Sequence, residues 1–72
     1  MLSWDEINSF IVSKGKYWDV RVNFREGIWE VSGTERGYVG ERHRTNTQLT
    51  SYSNADMQQA LSDFINDNGE QA

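Results

Sequence analysis

Apolar side chains return every three or four positions along the start of the chain: Trp4, Ile7, Phe10 and Ile11, with the stem of Lys14 completing the row. That spacing gathers them on one side of a helix. Ser3 opens the segment and Glu6 follows three residues later, a capping box in which hydroxyl and carboxylate each satisfy a free amide. Asp5 and Glu6 suit the positive end of the helix, Lys14 suits the negative end, and Gly15 is a natural stop. A helix over 4–14 is predicted.

At Tyr17 the period changes to two. Trp18, Val20, Val22 and Phe24 alternate with Tyr17, Asp19, Arg21 and Asn23. After Arg25-Glu26-Gly27, Trp29 and Val31 alternate with Ile28, Glu30 and Ser32. The pattern predicts a hairpin with strands over 17–24 and 28–34. Its register follows from the faces. A three-residue loop would set Phe24 against Ile28 and Val22 against Glu30, mixing apolar with polar. A two-residue Glu26-Gly27 turn, or a four-residue one, sets Phe24 against Trp29 and Val22 against Val31, and keeps one apolar face.

Beyond Gly33 the alternation loosens. One reading puts a turn at Glu35-Arg36-Gly37 and a strand over Tyr38–Arg44. A second places the strand near His43–Leu49, with Thr45, Thr47 and Leu49 inward. The preferred reading is one bent or bulged strand over approximately 38–48, rich in threonine as extended segments are. Ser53 then caps a helix over 54–67 whose stripe is Met57, Ala60, Leu61, Phe64 and Ile65, closed by Asn68-Gly69. The sum is an α+β fold in the order α-β-β-β-α. A small three-stranded antiparallel sheet is covered on one face by two helices, in a single small domain, 1–72. The opposite face would show water Tyr17, Asp19, Arg21, Asn23, Ile28, Glu30 and Ser32.

Composition narrows what such a scaffold can do. Seventy-two residues supply only a modest core,. The absence of cysteine excludes disulfides and thiolate-bound zinc. Three Trp, three Tyr and three Phe supply the burial instead,. No apolar run is long enough to span a membrane, and the acidic opening Asp5-Glu6 lacks the basic start of a signal peptide. A cytoplasmic location is the simplest expectation.

The net charge of −4 weighs against non-specific binding to nucleic acid or anionic lipid,. All seven Lys and Arg fall within residues 14–44, however, so two acidic ends flank a mildly basic middle.

Motifs for chemistry are not found. His43 is the single histidine, with no G-x-S-x-G turn to serve it and no second nitrogen ligand for a metal,. Asp63 and Asp67 lack a glycine-centred calcium loop. Glu30 and Glu41 would sit on an open face with no cleft to tune them. Gly33, Gly37 and Gly40 do not have nucleotide-loop spacing. No enzyme activity, cofactor or metal is expected.

The helix–three strands–helix order and the length resemble a double-stranded RNA-binding domain. The resemblance implies phosphate contacts at the start of the second helix. Here that start, Asn54-Ala55-Asp56-Met57-Gln58-Gln59, carries no base, and Arg25-Glu26-Gly27 stands where the family has a Gly-Pro-x-His-type turn. The implication therefore stops at the fold.

Arginines and aromatics are the usual anchors of protein interfaces, and the candidates for partner contact are Tyr17, Arg21, Ile28, Arg36, Tyr38, Arg42 and Arg44. The expected role is that of a small, acidic, non-enzymatic protein-binding module, an accessory or inhibitor protein. Such chains resemble in style the small proteins of phages and mobile elements, anti-CRISPR proteins among them. One alternative is a nucleic-acid-binding module that uses the basic third-strand region. Another is a self-associating structural subunit, such as a homodimer. Phosphate mimicry by Asp56, Asp63, Asp67 and Glu70 is a further reading of the acidic second helix.

Overall fold

Glu26 and Gly27 both adopt positive φ, 54° and 80°. This is the mirror-image two-residue turn whose twist matches that of the strands it joins. The computed structural model describes residues 1–39 and 43–69, with side chains for 1–37 and 46–69. Its element order is α1 (Trp4–Lys14), β1 (Trp18–Arg25), β2 (Ile28–Val39), β3 (His43–Gln48), β4 (Tyr52–Asn54) and α2 (Met57–Gly69). The fold is α+β, with the two helices flanking a small antiparallel sheet.

The capping box of α1 is formed: the Ser3 hydroxyl accepts from the Glu6 amide, and the Glu6 carboxylate accepts from the Ser3 amide. Across the hairpin, Phe24 lies opposite Trp29 and Val22 opposite Val31, the pairing that a single apolar face requires,.

The region after Gly33 departs from expectation. Neither a turn at 35–37 nor one strand over 38–48 is present. Instead β2 continues to Val39, and β3 returns from His43, pairing Thr34 with Gln48 and Val39 with His43. Gly33 keeps β2 extended because it has no side chain. A Cβ there would lie 2.5 Å from the Asp19 carbonyl oxygen of β1.

The short β4 was not legible in the pattern. It pairs with the other half of the same β2 edge, Trp29 opposite Asn54 and Val31 opposite Tyr52. Between the two registers the returning chain gains one residue, a β-bulge around Leu49–Ser51,. The bulge reverses the alternation. Leu49 is buried and Tyr52 packs on the same core, although strict alternation would put them on opposite faces,. Thr47, expected inward in one reading, is exposed; Thr45 lies outside the described side chains.

Helix α2 also starts later than expected. Asp56, not Ser53, is its cap: the Asp56 carboxylate accepts from the Gln58 amide at 3.0 Å and its carbonyl accepts from Ala60,. The helix runs through Asn68 to Gly69 rather than stopping before them.

The core is Ile7 of α1, Trp18 and Val31 of the hairpin, Leu49 of the bulge, and Ala60, Leu61, Phe64 and Ile65 of α2. Trp18 is its hub, packed edge-on against Phe64 and tilted against Phe10, with ring centroids 5.7 and 5.3 Å away. Its indole N–H donates to the Glu35 carboxylate on the facing strand at 2.6 Å, and the Lys14 ammonium lies 5.6 Å from its ring,.

Among the described residues two polar side chains are buried, and each ties separate segments together. The Ser62 hydroxyl accepts from the Leu2 amide and donates to the Gln58 carbonyl. Asn68 accepts from the Thr50 amide and donates to the carbonyls of Thr50 and Phe64.

Candidate functional site

A strand lengthens the molecule faster than a helix does. The 12 residues of β2 extend about 40 Å at ~3.3 Å each, whereas the 13 residues of α2 extend about 20 Å at ~1.5 Å each. The molecule measures 42 × 25 × 17 Å, so its helices cover only part of the sheet. α2 packs on β2 and β4, and α1 packs mainly on α2. The inner face of β1 is therefore roofed at one end alone. Trp18 is buried, Val20 is half-buried, Val22 is 41% exposed and Phe24 is 58% exposed.

This outcome corrects the expectation that Val22 and Phe24 would be sheltered. It also leaves a groove between α1 and β1, of roughly 350 Å³ and mostly apolar, lined by Trp4, Ile7 and Ile11 on one side and Val20 and Val22 on the other, with Leu61 at its floor. Trp4, placed inward by its spacing, is 49% exposed on the groove's rim. At the open end Phe24 stacks on Trp29 with centroids 4.5 Å apart.

The backbone adds a second feature. Sheet order is β1-β2-β3, so among the described residues β1 has a strand on one side only. The Tyr17 carbonyl accepts from the Arg36 amide at 2.6 Å, so the odd-numbered residues of β1 turn their amides and carbonyls toward β2. Those of Trp18, Val20, Val22 and Phe24 then point to the free edge. Val22 and Phe24 thus combine exposed apolar side chains with backbone groups that point to this edge.

The residues singled out from the sequence fall elsewhere. Tyr17 and Ile28 are each 44% exposed, but they stand at opposite ends of the hairpin, about 27 Å apart along the strand at ~3.4 Å per residue, and do not form one patch. Arg21 is exposed on the outer face, opposite Ser32. Arg36 is engaged within the chain. Its Nε faces the Asp19 carboxylate at 3.5 Å, an ion pair without a hydrogen bond through that nitrogen, and its Nη2 donates to the Gly15 carbonyl. Tyr38 and Arg44 lie opposite each other on β2 and β3. Arg42 is outside the described residues, as are Glu41 and Gly40.

The groove was missed because alternation identifies a face and says nothing of what covers it. An eight-residue strand beside an eleven-residue helix was the available signal.

The acids of α2 are engaged locally. Asp63 accepts from Gln59 at 2.8 Å. Tyr52 lies beside Asp63 and Asp67; hydrogen bonding toward Asp67 chiefly, then burial and the charges of Asp67 and Asp63, raises the phenol above its ordinary pKa,. The sign is that of an acid held neutral. Its contribution to folding is present below the ordinary phenol value and is lost as pH rises through the raised one. In ultraviolet titration, the wild-type curve minus that of Tyr52→Phe is expected to have a midpoint above ~10, the ordinary phenol value. A midpoint at or below that value would remove the Asp67 interaction.

Among the described residues no cluster of His, Asp and Glu is disposed to hold a metal ion, and no helix is long and apolar enough to cross a membrane. Comparison with family models, with curated proteins and with solved structures finds no match to this chain.

Proposed function

We propose that this chain is a non-enzymatic binding module that acts by protein–protein contact, and that the contact is made by β1 and the groove beside it. One observation carries the reading. Val22 and Phe24 hold exposed apolar side chains on a strand with one edge that, among the described residues, has no partner strand. A partner that adds to such an edge gains main-chain hydrogen bonds and apolar burial together, the mode in which extended segments are recognised. Trp4, at the groove's rim, supplies the kind of large aromatic that anchors interfaces.

The basic segment supports nucleic-acid contact less well. Arg36 is held by Asp19 and Gly15, and the first turn of α2 carries no base to meet a phosphate,.

The test is site-specific photocrosslinking in cells, with p-benzoylphenylalanine in place of Phe24 and, as a control, in place of Val12, which is 71% exposed outside the groove lining. Discrete protein adducts are expected at position 24, several-fold above those at position 12. Adducts no stronger than at position 12, or adducts to nucleic acid alone, would overturn the reading.

A further inference from the structure

The free edge is self-complementary, and we infer that its occupant is a second copy of this chain, paired antiparallel through β1 about a two-fold axis at Val22. The inference rests on the contact surface proposed above and names what fills it.

Three properties of β1 select this pairing. The first is parity. Only even-numbered residues offer amides and carbonyls outward, so inner faces must meet inner faces, and only registers in which paired residue numbers sum to an even value are open. The second is charge. Centred on Val22, the pairing puts Asp19 opposite Arg25 of the other copy, twice by symmetry, and Arg21 opposite Asn23. Shifting the centre to Arg21 sets that arginine against its own symmetry mate. Shifting it to Asn23 sets Arg21 against Arg25 twice. Like charges directly opposite destabilise a sheet pair, whereas opposite charges support it. A centre at Val20 keeps an Asp19–Arg21 pair but leaves Phe24 outside the paired segment, with its exposed ring uncovered.

The third property is apolar fit. In the Val22 register Val22 meets Val22, and Phe24 of one copy lies opposite Val20 of the other. Val20 forms one wall of the groove under Trp4, Ile7 and Ile11. The most exposed side chain of the inner face of β1 is thus brought to the apolar cleft of its partner. The groove is lined by Val20 and Val22 and not by Phe24, so in this register the grooves of the two copies are offset along the joined strands and related by the two-fold axis. Pairing would also remove a free edge that has neither proline nor lysine to blunt it,. Asp19 already faces Arg36 within its own chain, yet its side chain is 57% exposed, leaving room for a second guanidinium.

Charge exchange tests this without depending on any one variant's stability. By sedimentation, the wild-type mass is expected to rise with concentration from 8.3 kDa toward twice that value. Asp19→Arg sets the new guanidinium against Arg25 of the other copy, and Arg25→Asp sets the new carboxylate against Asp19. Each variant alone is expected to associate about tenfold more weakly or worse, since two attractive pairs become repulsive. An equimolar mixture of the two variants restores opposite charges at both contacts, and is expected to associate with wild-type strength, about tenfold or more tighter than either component alone. The double variant in one chain should do the same. Circular dichroism melts of the separate variants confirm that they are folded.

A wild-type chain that stays at 8.3 kDa up to millimolar concentration, or a mixture no tighter than its components, would overturn self-pairing. If such a monomer still crosslinks at position 24 to a different protein, the contact surface stands and only its occupant has been misassigned. If it crosslinks to nothing, both readings fail.

Discussion

Phe64→Ala is expected to remove a large share of the stability of this fold, while Phe24→Ala, the same chemical change, is expected to remove little. Phe64 is fully buried, with its ring edge-on to Trp18 at the centre of the core. Truncating a buried phenylalanine costs about 3–5 kcal/mol, the lost transfer energy plus the cavity left behind. At about 0.05–0.15 kcal/mol per residue, a chain this short has roughly 4–11 kcal/mol in total. The variant should therefore show a strongly lowered urea midpoint, and no cooperative transition where the total lies at the low end of that range.

Phe24 is mostly in water and retains only its stack on Trp29, so its truncation should cost about 1 kcal/mol or less. Urea unfolding of dilute protein, followed by tryptophan fluorescence, separates the two. Equal losses would contradict the incomplete roofing of β1, on which the proposed contact surface depends.

Asn68→Asp is the second large effect, and it comes from a change of one atom. The Asn68 amide nitrogen donates to the carbonyls of Thr50 and Phe64, and its oxygen accepts from the Thr50 amide. That side chain takes the place of a strand partner where the bulge turns Thr50 away from β2. An aspartate would set a buried negative charge against two carbonyl oxygens and take the side-chain donor from each, the Phe64 carbonyl keeping its helical amide,. Such a substitution costs about 2–4 kcal/mol when the group is ionised. Burial and the facing carbonyls favour the neutral acid, so its pKa in the folded state would rise. The deficit should then shrink as pH falls through ~4, the ordinary aspartate value. Comparing urea midpoints of variant and wild type at neutral and acid pH checks both size and direction. A deficit that does not change with pH would mean that the carboxylate had found water or a cation.

Local rules carried most of the hairpin and the first helix. The Ser3 and Glu6 cap depends only on residues within one turn. The pairing of Phe24 with Trp29 depends on a two-residue turn and on keeping a single apolar face,. The stripe of α2 was likewise visible, because a 3.6-residue period marks a buried side wherever the helix begins.

Asp56 displaced Ser53 as the cap because Asn54 already holds the Asp56 amide at 2.9 Å and so places the first helical turn three residues later. Nothing in the spacing distinguishes these neighbouring oxygen-bearing side chains. The long run of β2 was hidden by Gly33, which ordinarily marks a turn but here admits the Asp19 carbonyl oxygen. The candidate site was less visible still. Arg36 looked available and is internally paired, while Val22 and Phe24 looked sheltered and are not.

By itself the amino-acid order determined which side chains share a face, since helical and extended periods are properties of neighbouring residues. Tertiary structure alone decided how far each face is covered and where the alternation reverses. Coverage depends on the lengths of elements distant in the chain: a strand rises about twice as far per residue as a helix, so the hairpin outruns its roof. The reversal depends on one extra residue opposite β2, stabilised by an asparagine 18 positions away.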